Sequence, residues 1–469
     1  MTQKFQSIPI RIASGENKSR SAQWSSQSCI NMYPDIQASG RTESALLPWP
    51  GETVFSIGTS GTLNRGMHVV AGVPYTLIDR SLYRITETGL QQYIADVPGA
   101  GYASFADDGV NLLIRSEGTA TYINGKFILQ GPGATFLWNG STLQTLTLPN
   151  INQDEFLVSD VDAPTVYTGY SPGKSQVSGG DYKQVYRFQQ KIFFAGESVF
   201  DVYYDDTSGN PPIKPVTQAS SSEVGVASPY SMAQTPSFLY MLGSDGVAYR
   251  LSNFETQVIS SSAISKVLRE SNTDNALGVT VQLDGQWFYI VQLRGDNVTL
   301  AYSETTNEWV RLSSGVQLGR HIMEGYTFAY GRHLICDATS STIYEWDFNE
   351  FTRNGSPIIR QFQTAPVNGL MIGAPGRRIL MSRCRFIMES GVGNADKFDP
   401  QMMVSYSTDG GKTFKDENWL KMKRAGESTT LVDWNKCVSF YDLVLRVKVS
   451  DPVFTSFHSA VIEVKDAGN

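Results

Sequence analysis

The stretch Val279-Thr280-Val281-Gln282-Leu283-Asp284-Gly285-Gln286-Trp287-Phe288-Tyr289-Ile290-Val291-Gln292-Leu293, continued by Thr299-Leu300-Ala301-Tyr302-Ser303 and Trp309-Val310, decides the fold. Its residues are β-branched and aromatic, the types that suit a pleated, half-buried surface. Asp284-Gly285 is a two-residue hairpin turn, because both positions tolerate positive φ. Four short strands joined by tight turns make one small antiparallel sheet, and none of them is long enough to form a domain alone.

The same style recurs on both sides. Residues 65–90, 102–127, 186–204, 238–251 and 325–346 repeat short alternating strands separated by Gly, Asn and Asp turns, among them Asn124-Gly125 and Asp245-Gly246. The units begin roughly 40–50 residues apart, the spacing of propeller blades of about four strands each. About six such units are legible; residues 128–182 are irregular and leave room for another blade or an insertion. A set of β-sandwiches would explain the strands but not the rhythm. One helix interrupts: Ser260-Ser261-Ser262 offers caps, Ile264, Val267 and Leu268 share a face, and Ser271-Asn272 ends it, so it packs on a blade edge.

Both ends depart from this rhythm. Residues 1–62 carry short apolar anchors (Ile30, Met32 and Tyr33, then Leu47 and Trp49) joined by polar loops. Such an arm must bury its anchors against another surface, either its own body or a neighbouring subunit. These five residues are the candidate subunit-contact set, and on that reading removal of residues 1–60 leaves the monomer folded. From residue 367 the strands lengthen without helical periodicity, which indicates a β-sandwich. Within it Ser407-Thr408-Asp409-Gly410-Gly411-Lys412-Thr413-Phe414 fits the "Asp box" of sialidase-like β-proteins. Ser407 and Asp409 can accept N–H bonds across the turn, Gly410 and Gly411 can take positive φ, and Phe414 can fold back on the core. Ser407, Asp409, Gly411, Thr413 and Phe414 are therefore assigned a structural role. The fold class expected is all-β: an extended N-terminal arm (1–62), a β-propeller (63–366) and a C-terminal β-sandwich (367–469).

Composition narrows the function. Of 469 residues 41% are hydrophobic and 18% charged, with a formal charge of -7, so the chain has an ample core but no general basic surface for phosphates. Arg377, Arg378, Arg383 and Arg385 are the densest basic cluster. A solvated strand face is the favoured reading, and contact with acidic protein or passing DNA the sharper one. Cys29, Cys336, Cys384 and Cys437 are far apart, and no pair has metal or redox spacing. The first residues lack the apolar core of a signal peptide, and no run reaches membrane-spanning length.

No catalytic constellation stands out. His68, His321, His333 and His458 are not in zinc spacing. Gly196-Glu197-Ser198 lacks the second glycine of a nucleophile elbow, and Asp201, Asp205 and Asp206 lack a calcium-loop pattern. No cofactor or metal is expected, and no enzyme.

A resemblance adds to this. Ser28-Cys29-Ile30-Asn31-Met32-Tyr33-Pro34, Leu47-Pro48-Trp49-Pro50-Gly51 and Leu63-Asn64-Arg65-Gly66 lie at one end. Arg385-Phe386-Ile387-Met388-Glu389-Ser390-Gly391-Val392-Gly393, Asp399-Pro400-Gln401, the Asp box, Trp419, Trp434 and residues 445–453 follow at the other. In this order they resemble the packaged-DNA stabilisation proteins of short-tailed bacteriophages, clearly over the first 85 and last 100 residues. The resemblance implies a structural virion protein: a tail hub or head-closure factor of the virion tail, assembled in the host bacterial cytoplasm. It implies a homo-hexamer below the portal-adaptor protein, retention of packaged DNA, and mounts for the tail needle and the tailspike. Genomic DNA would pass through the ring channel without specific binding, and no membrane is involved. The competing expectation is a carbohydrate-binding or sialidase-like propeller; against it, such folds repeat their Asp boxes across blades, and here one is found.

Overall fold

The structure is a computed structural model that describes every residue except 1–4, 13, 22–23, 37–43, 59–60, 175–179, 217–223, 253–254, 428–430 and 468–469. Seven blades of four antiparallel strands surround a common centre among the described residues. Five stand as separate sheets, and two continue into larger ones. In chain order their inner strands are Asn64–Val70, Ala103–Asp107, Thr119–Ile123, Tyr182–Phe188, Ala233–Gln234, Leu277–Leu283 and Met323–Ala329. We number the blades 1 to 7 in that order.

The count is one more than the sequence rhythm suggests, and the reason is topological. Blades 2 and 3 are interleaved. After Leu112–Ser116, the second strand of blade 2, the chain lays down Thr119–Ile123 and Lys126–Gln130, the inner half of blade 3. It then returns to finish blade 2 with Ala134–Trp138 and Leu143–Leu146, and goes forward again to finish blade 3 with Glu155–Val158 and Gly173–Lys174. Residues 102–127, which read as one unit, therefore contain halves of two.

The N-terminal segment is distributed through the whole molecule. Gly51–Ser56 is the fourth strand of blade 7, antiparallel to Ile343–Asp347. Ser26–Ile30 lies between the outer strand of blade 6 and the sandwich: Ile30 pairs in parallel with Arg311, and Cys29 antiparallel with Phe362. Met32–Ile36 and Ser44–Pro48 form a hairpin whose Leu46 bridges to Phe457, and Gln6–Ile10 pairs with Phe457–Asp466. Blade 6 and one sandwich sheet thus share a single twelve-stranded sheet.

This corrects the subunit-contact reading of the arm. Ile30, Met32, Tyr33 and Trp49 are at most 3% exposed within their own chain, and Leu47 packs partly buried against the same core. Burial of these side chains within their own chain holds the segment, since each buried apolar side chain contributes about 1.5–3 kcal/mol. That core runs unbroken from Phe288 and Ile290 of blade 6 and Trp346 of blade 7, through Met32 and Trp49, to Phe386 and Ile462 of the sandwich.

The sandwich packs Ile379–Met388, Leu431–Phe440 and Phe457–Asp466 in one sheet against Gln401–Ser407, Lys415–Lys421 and Asp442–Val449 in the other. The helix is Ser262–Glu270, capped by Ser261, whose hydroxyl accepts from the Ile264 N–H at 3.3 Å. Its Ile264 and Leu268 enter the core of blades 5 and 6.

Candidate functional site: the ring closure, the hairpin and the propeller mouth

Three places concentrate polar chemistry. The first closes the ring. At Gly51 the backbone approaches the Glu350 and Thr352 carbonyls so closely that a Cβ would lie 2.4 Å from the Glu350 oxygen, so only glycine lets the strand enter blade 7. The next residue, Glu52, is 1% exposed. Its carboxylate accepts from the Arg353 guanidinium, Nη2 lying 3.0 Å from Oε1, and from His321 Nε2 at 2.8 Å. His321 Nδ1 in turn accepts from the Met323 N–H at 3.2 Å. A ring nitrogen that accepts carries no proton, so His321 is the neutral Nε2–H tautomer. Burial pushes the His321 pKa down, in agreement. Burial also works to raise the Glu52 carboxyl, but His321 and Arg353 outweigh it and hold it at about 2. With His321 neutral, Arg353 is the countercharge.

Arg65 and Asn31 play equivalent roles nearby. Arg65, 1% exposed, donates to the carbonyls of Gly101 (2.7 Å), Asp79 (3.0 Å) and Val97 (2.9 Å), and to the Ser116 hydroxyl (2.7 Å). One guanidinium thereby ties blade 1 to blade 2. Asn64 donates from Nδ2 to the carbonyls of Asp337 (2.9 Å) and Ser340 (3.0 Å), tying blade 1 to blade 7. Asn31 takes a positive φ of 53° and links Ser26–Ile30 to Met32–Ile36. It donates to the Ser313 and Ile359 carbonyls at 3.1 and 2.9 Å and accepts from the Ser313 N–H at 2.8 Å. Asn31, Asn64 and Arg65 all lie in the segments quoted for the family resemblance. Sequence reading quoted them without a role. Glu52, His321 and Arg353 it missed, because their only signal is charge beside strand residues.

The second place is the Asp-box hairpin. Asp409 Oδ1 accepts from the Lys412 and Thr413 N–H groups, both at 3.0 Å, and Oδ2 from the Thr413 hydroxyl at 2.5 Å. Ser407 donates to Asp409 at 2.6 Å and accepts from the Gly411 N–H at 2.8 Å. Gly410 and Gly411 have φ of 78° and 86°. The hydroxyls of Ser407 and Thr413, with the Thr413 N–H, hold the Asp409 carboxyl far below the usual carboxylate range. The side-chain oxygens of Ser407, Asp409 and Thr413 are all engaged in the turn. Phe414 departs from expectation: it is half-buried, and the Arg446 guanidinium lies over its ring at 4.0 Å. Three of the four arginines of the basic cluster are paired. Arg385 makes a bidentate bond to Asp433 (2.7 and 2.9 Å), Arg383 bonds Glu463, and Arg377 bonds Asp466 at 2.7 Å.

The third is the mouth of the propeller, a cavity of about 650 Å³ lined by six of the seven blades. Here His68 Nε2 and Asp107 Oδ2 lie 2.7 Å apart. The opposite mouth is smaller, about 320 Å³. Between them Tyr230, from the turn that precedes blade 5, reaches across the axis, and its hydroxyl bonds the Tyr102 carbonyl of blade 2 at 3.1 Å. The residues tested for calcium point to separate partners: Asp201 accepts from the Tyr182 hydroxyl at 2.5 Å, Asp205 pairs with Lys126, and Asp206 with Lys214. Among the described residues no group of His, Cys, Asp and Glu is arranged to hold a metal ion, and no helix is long and apolar enough to cross a membrane. The four cysteines are free, and only Cys437 is exposed.

Comparison with known proteins places this architecture. No curated protein matches the sequence. Among solved structures, the computationally designed Ika8 protein matches 63% of this chain and 99% of its own at 8% identity and a TM-score of 0.35. YCF48 bound to D1 peptide matches 64% and 97% at 11% identity and 0.36. PorZ, a surface component of the type-IX secretion system of Porphyromonas gingivalis, matches 62% and 37% at 10% and 0.35. Likenesses this loose carry no argument. Two family profiles do: one described as "Bacteriophage P22 Gp10, beta-propeller" matches residues 6–350, and one described as "Bacteriophage P22 Gp10, beta-sandwich" matches residues 369–465. The first profile takes in the strand Gly51–Ser56 that closes blade 7, and the second takes in the hairpin, so propeller and sandwich together make this chain a member of the bacteriophage P22 Gp10 family of packaged-DNA stabilisation proteins.

Proposed function

We propose that the chain is a non-enzymatic tail hub: a homo-hexameric ring seated below the portal-adaptor protein, which helps retain packaged DNA and mounts the tail needle and tailspikes. It assembles in the host cytoplasm and ends in the virion tail. The observation that carries this reading is the family match over both domains, together with the way they are joined. A twelve-stranded sheet and one continuous core cross the propeller–sandwich boundary. A part that holds a pressurised genome must transmit load between docking surfaces, and a joint made of paired backbone and close-packed side chains deforms little.

Two features bear on the path of DNA. Tyr102 and Tyr230 meet across the propeller axis, so the lumen belongs between subunits and not within a propeller. The densest arginines are already paired with Asp433, Glu463 and Asp466. Arginines already paired grip phosphates less, and retention by phosphate contacts would need many free cations.

Mass photometry and negative-stain imaging, with and without adaptor, test the proposal. Six-fold rings are the expected result. A protein that stays monomeric and never binds adaptor would overturn it.

A further inference from the structure

We propose that the mouth of the propeller is a saccharide-binding site. The cavity gathers residues from or beside the inner strands of blades 1 to 5 and Trp287 from the second strand of blade 6. Its volume of about 650 Å³ lies within the ~300–1,000 Å³ usual for small-ligand sites. Partly exposed aromatic rings line it, with Phe105, Tyr122 and Trp287 contributed by three different blades. Between them stand groups that both donate and accept, the side-chain amides of Gln189 and Gln234 and the Thr121 hydroxyl, beside a pure donor, the Arg187 guanidinium.

One acceptor is held ready. Asp107 Oδ1 accepts from the Gly109 N–H at 3.0 Å, and Oδ2 pairs with His68 Nε2 at 2.7 Å. The His68 ring stacks on Phe105, with centroids 5.9 Å apart and planes 6° from parallel. Both side chains keep more than a quarter of their surface, 29% and 28%, so the pair faces the cavity as well as itself. By contrast, among the described residues Arg187 bonds the protein through Nε alone, donating to the Gln189 carbonyl at 3.1 Å. Among the described residues its terminal nitrogens and the amides of Gln189 and Gln234 have no protein partner, which leaves them for a ligand.

This combination selects a chemical class. A sugar ring offers an apolar C–H face to aromatic rings and a rim of hydroxyls that donate and accept at once. Amide side chains and a fixed carboxylate match that rim. Nucleic acid fits poorly, since one arginine balanced by one aspartate neutralises no run of phosphates. A peptide added as a strand needs a row of free backbone groups, whereas this mouth presents side chains. The other mouth, with Glu117, Lys183 and Asp274 in about 320 Å³, lacks the aromatic lining apart from Tyr230. The assignment concerns binding alone and is independent of the hub reading, because none of these residues belongs to the joint between blade 7, the arm and the sandwich.

The test uses the full chain on an array of immobilised mono- to tetrasaccharides of hexoses, hexosamines and N-acetylated sugars, followed by saturation-transfer NMR with the methyl glycoside of any ligand found. Saturation should pass from aromatic protons to one face of the sugar. Trp287→Ala should weaken binding about ten-fold, the scale of one aromatic face. Asp107→Asn and Gln234→Ala should each weaken it severalfold with unchanged melting and ring formation, and they keep the test valid if Trp287→Ala fails to fold. Absence of any glycan binding would overturn the proposal. So would binding that all the variants leave intact, or capture of peptides at this mouth in place of sugars.

Discussion

Replacing Glu52 by Gln probes the ring closure with one oxygen exchanged for nitrogen. Glutamine keeps an acceptor for His321 Nε2–H but removes the charge that faces Arg353. A buried carboxyl held below its ordinary 4.5 by Arg353 and the His321 N–H stabilises the folded protein in its ionised form. Loss of one partner from a buried ion pair costs on the order of 3–5 kcal/mol. Arg353 keeps 14% of its side-chain surface in solvent, which softens that figure toward about 2–3 kcal/mol.

The pH dependence has a definite sign. The folded-state carboxyl is depressed, so its contribution is fully present above 4.5 and is lost as pH falls toward 2. His321 is also depressed, so the unfolded chain binds its proton first, and stability falls further below about 6.5. Glutamine mimics the protonated acid. The gap between wild type and Glu52→Gln should therefore be constant from pH 8 to about 5 and close at lower pH. Urea unfolding, read by hydrogen exchange at Ile343–Asp347 beside the closing strand, measures it locally. Equal stability at pH 7, or a gap that persists unchanged at pH 3, would refute the argument.

Other outcomes follow from the same geometry. Arg65→Lys should destabilise by about 2–4 kcal/mol, because an ammonium cannot reach three carbonyls and a hydroxyl at once, and denaturant midpoints would show it. Trp49→Ala should cost about 3–5 kcal/mol in the same assay, since Trp49 packs edge-on with Tyr33, Phe288 and Trp346 at 5.8, 5.1 and 5.6 Å. Asp409→Ala should release the Lys412 and Thr413 amides to exchange and cost about 1–2 kcal/mol; full protection in the variant would mean the turn holds itself without the carboxylate.

Much of this fold is legible in the chain, and what is not has a common cause. Strand periodicity marks Gln286–Leu293 because its residues alternate between two packed faces. It says nothing about which strand lies alongside. Thr119–Ile123 and Ala134–Trp138 look alike as sequence, yet they belong to different blades. The arm shows the same gap. That Trp49 must be buried is plain from its chemistry, but the sequence does not say against whose surface. The hairpin at Ser407 is legible because its donors and acceptors lie within four residues of one another. Glu52 is not, because its arginine partner is 301 residues away.

That distance bears on how the molecule is held together. A propeller must join its last blade to its first, and here the closing strand comes from the N-terminal segment that also enters both sandwich sheets. Removal of residues 1–60 would strip blade 7 of its outer strand, leave the Ile343–Asp347 edge unpaired, and take Ser26–Ile30 out of the twelve-stranded sheet. It would also expose the faces of Phe288 and Trp346 that Trp49 covers. Several buried side chains at about 1.5–3 kcal/mol each exceed the ~5–15 kcal/mol by which domains are stable. The truncated chain should therefore lose its folded state as well as its assembly, opposite to what an appended arm would do. Circular dichroism and limited proteolysis of that truncation decide between the two: a folded, monomeric product would show that propeller and sandwich stand without the strap.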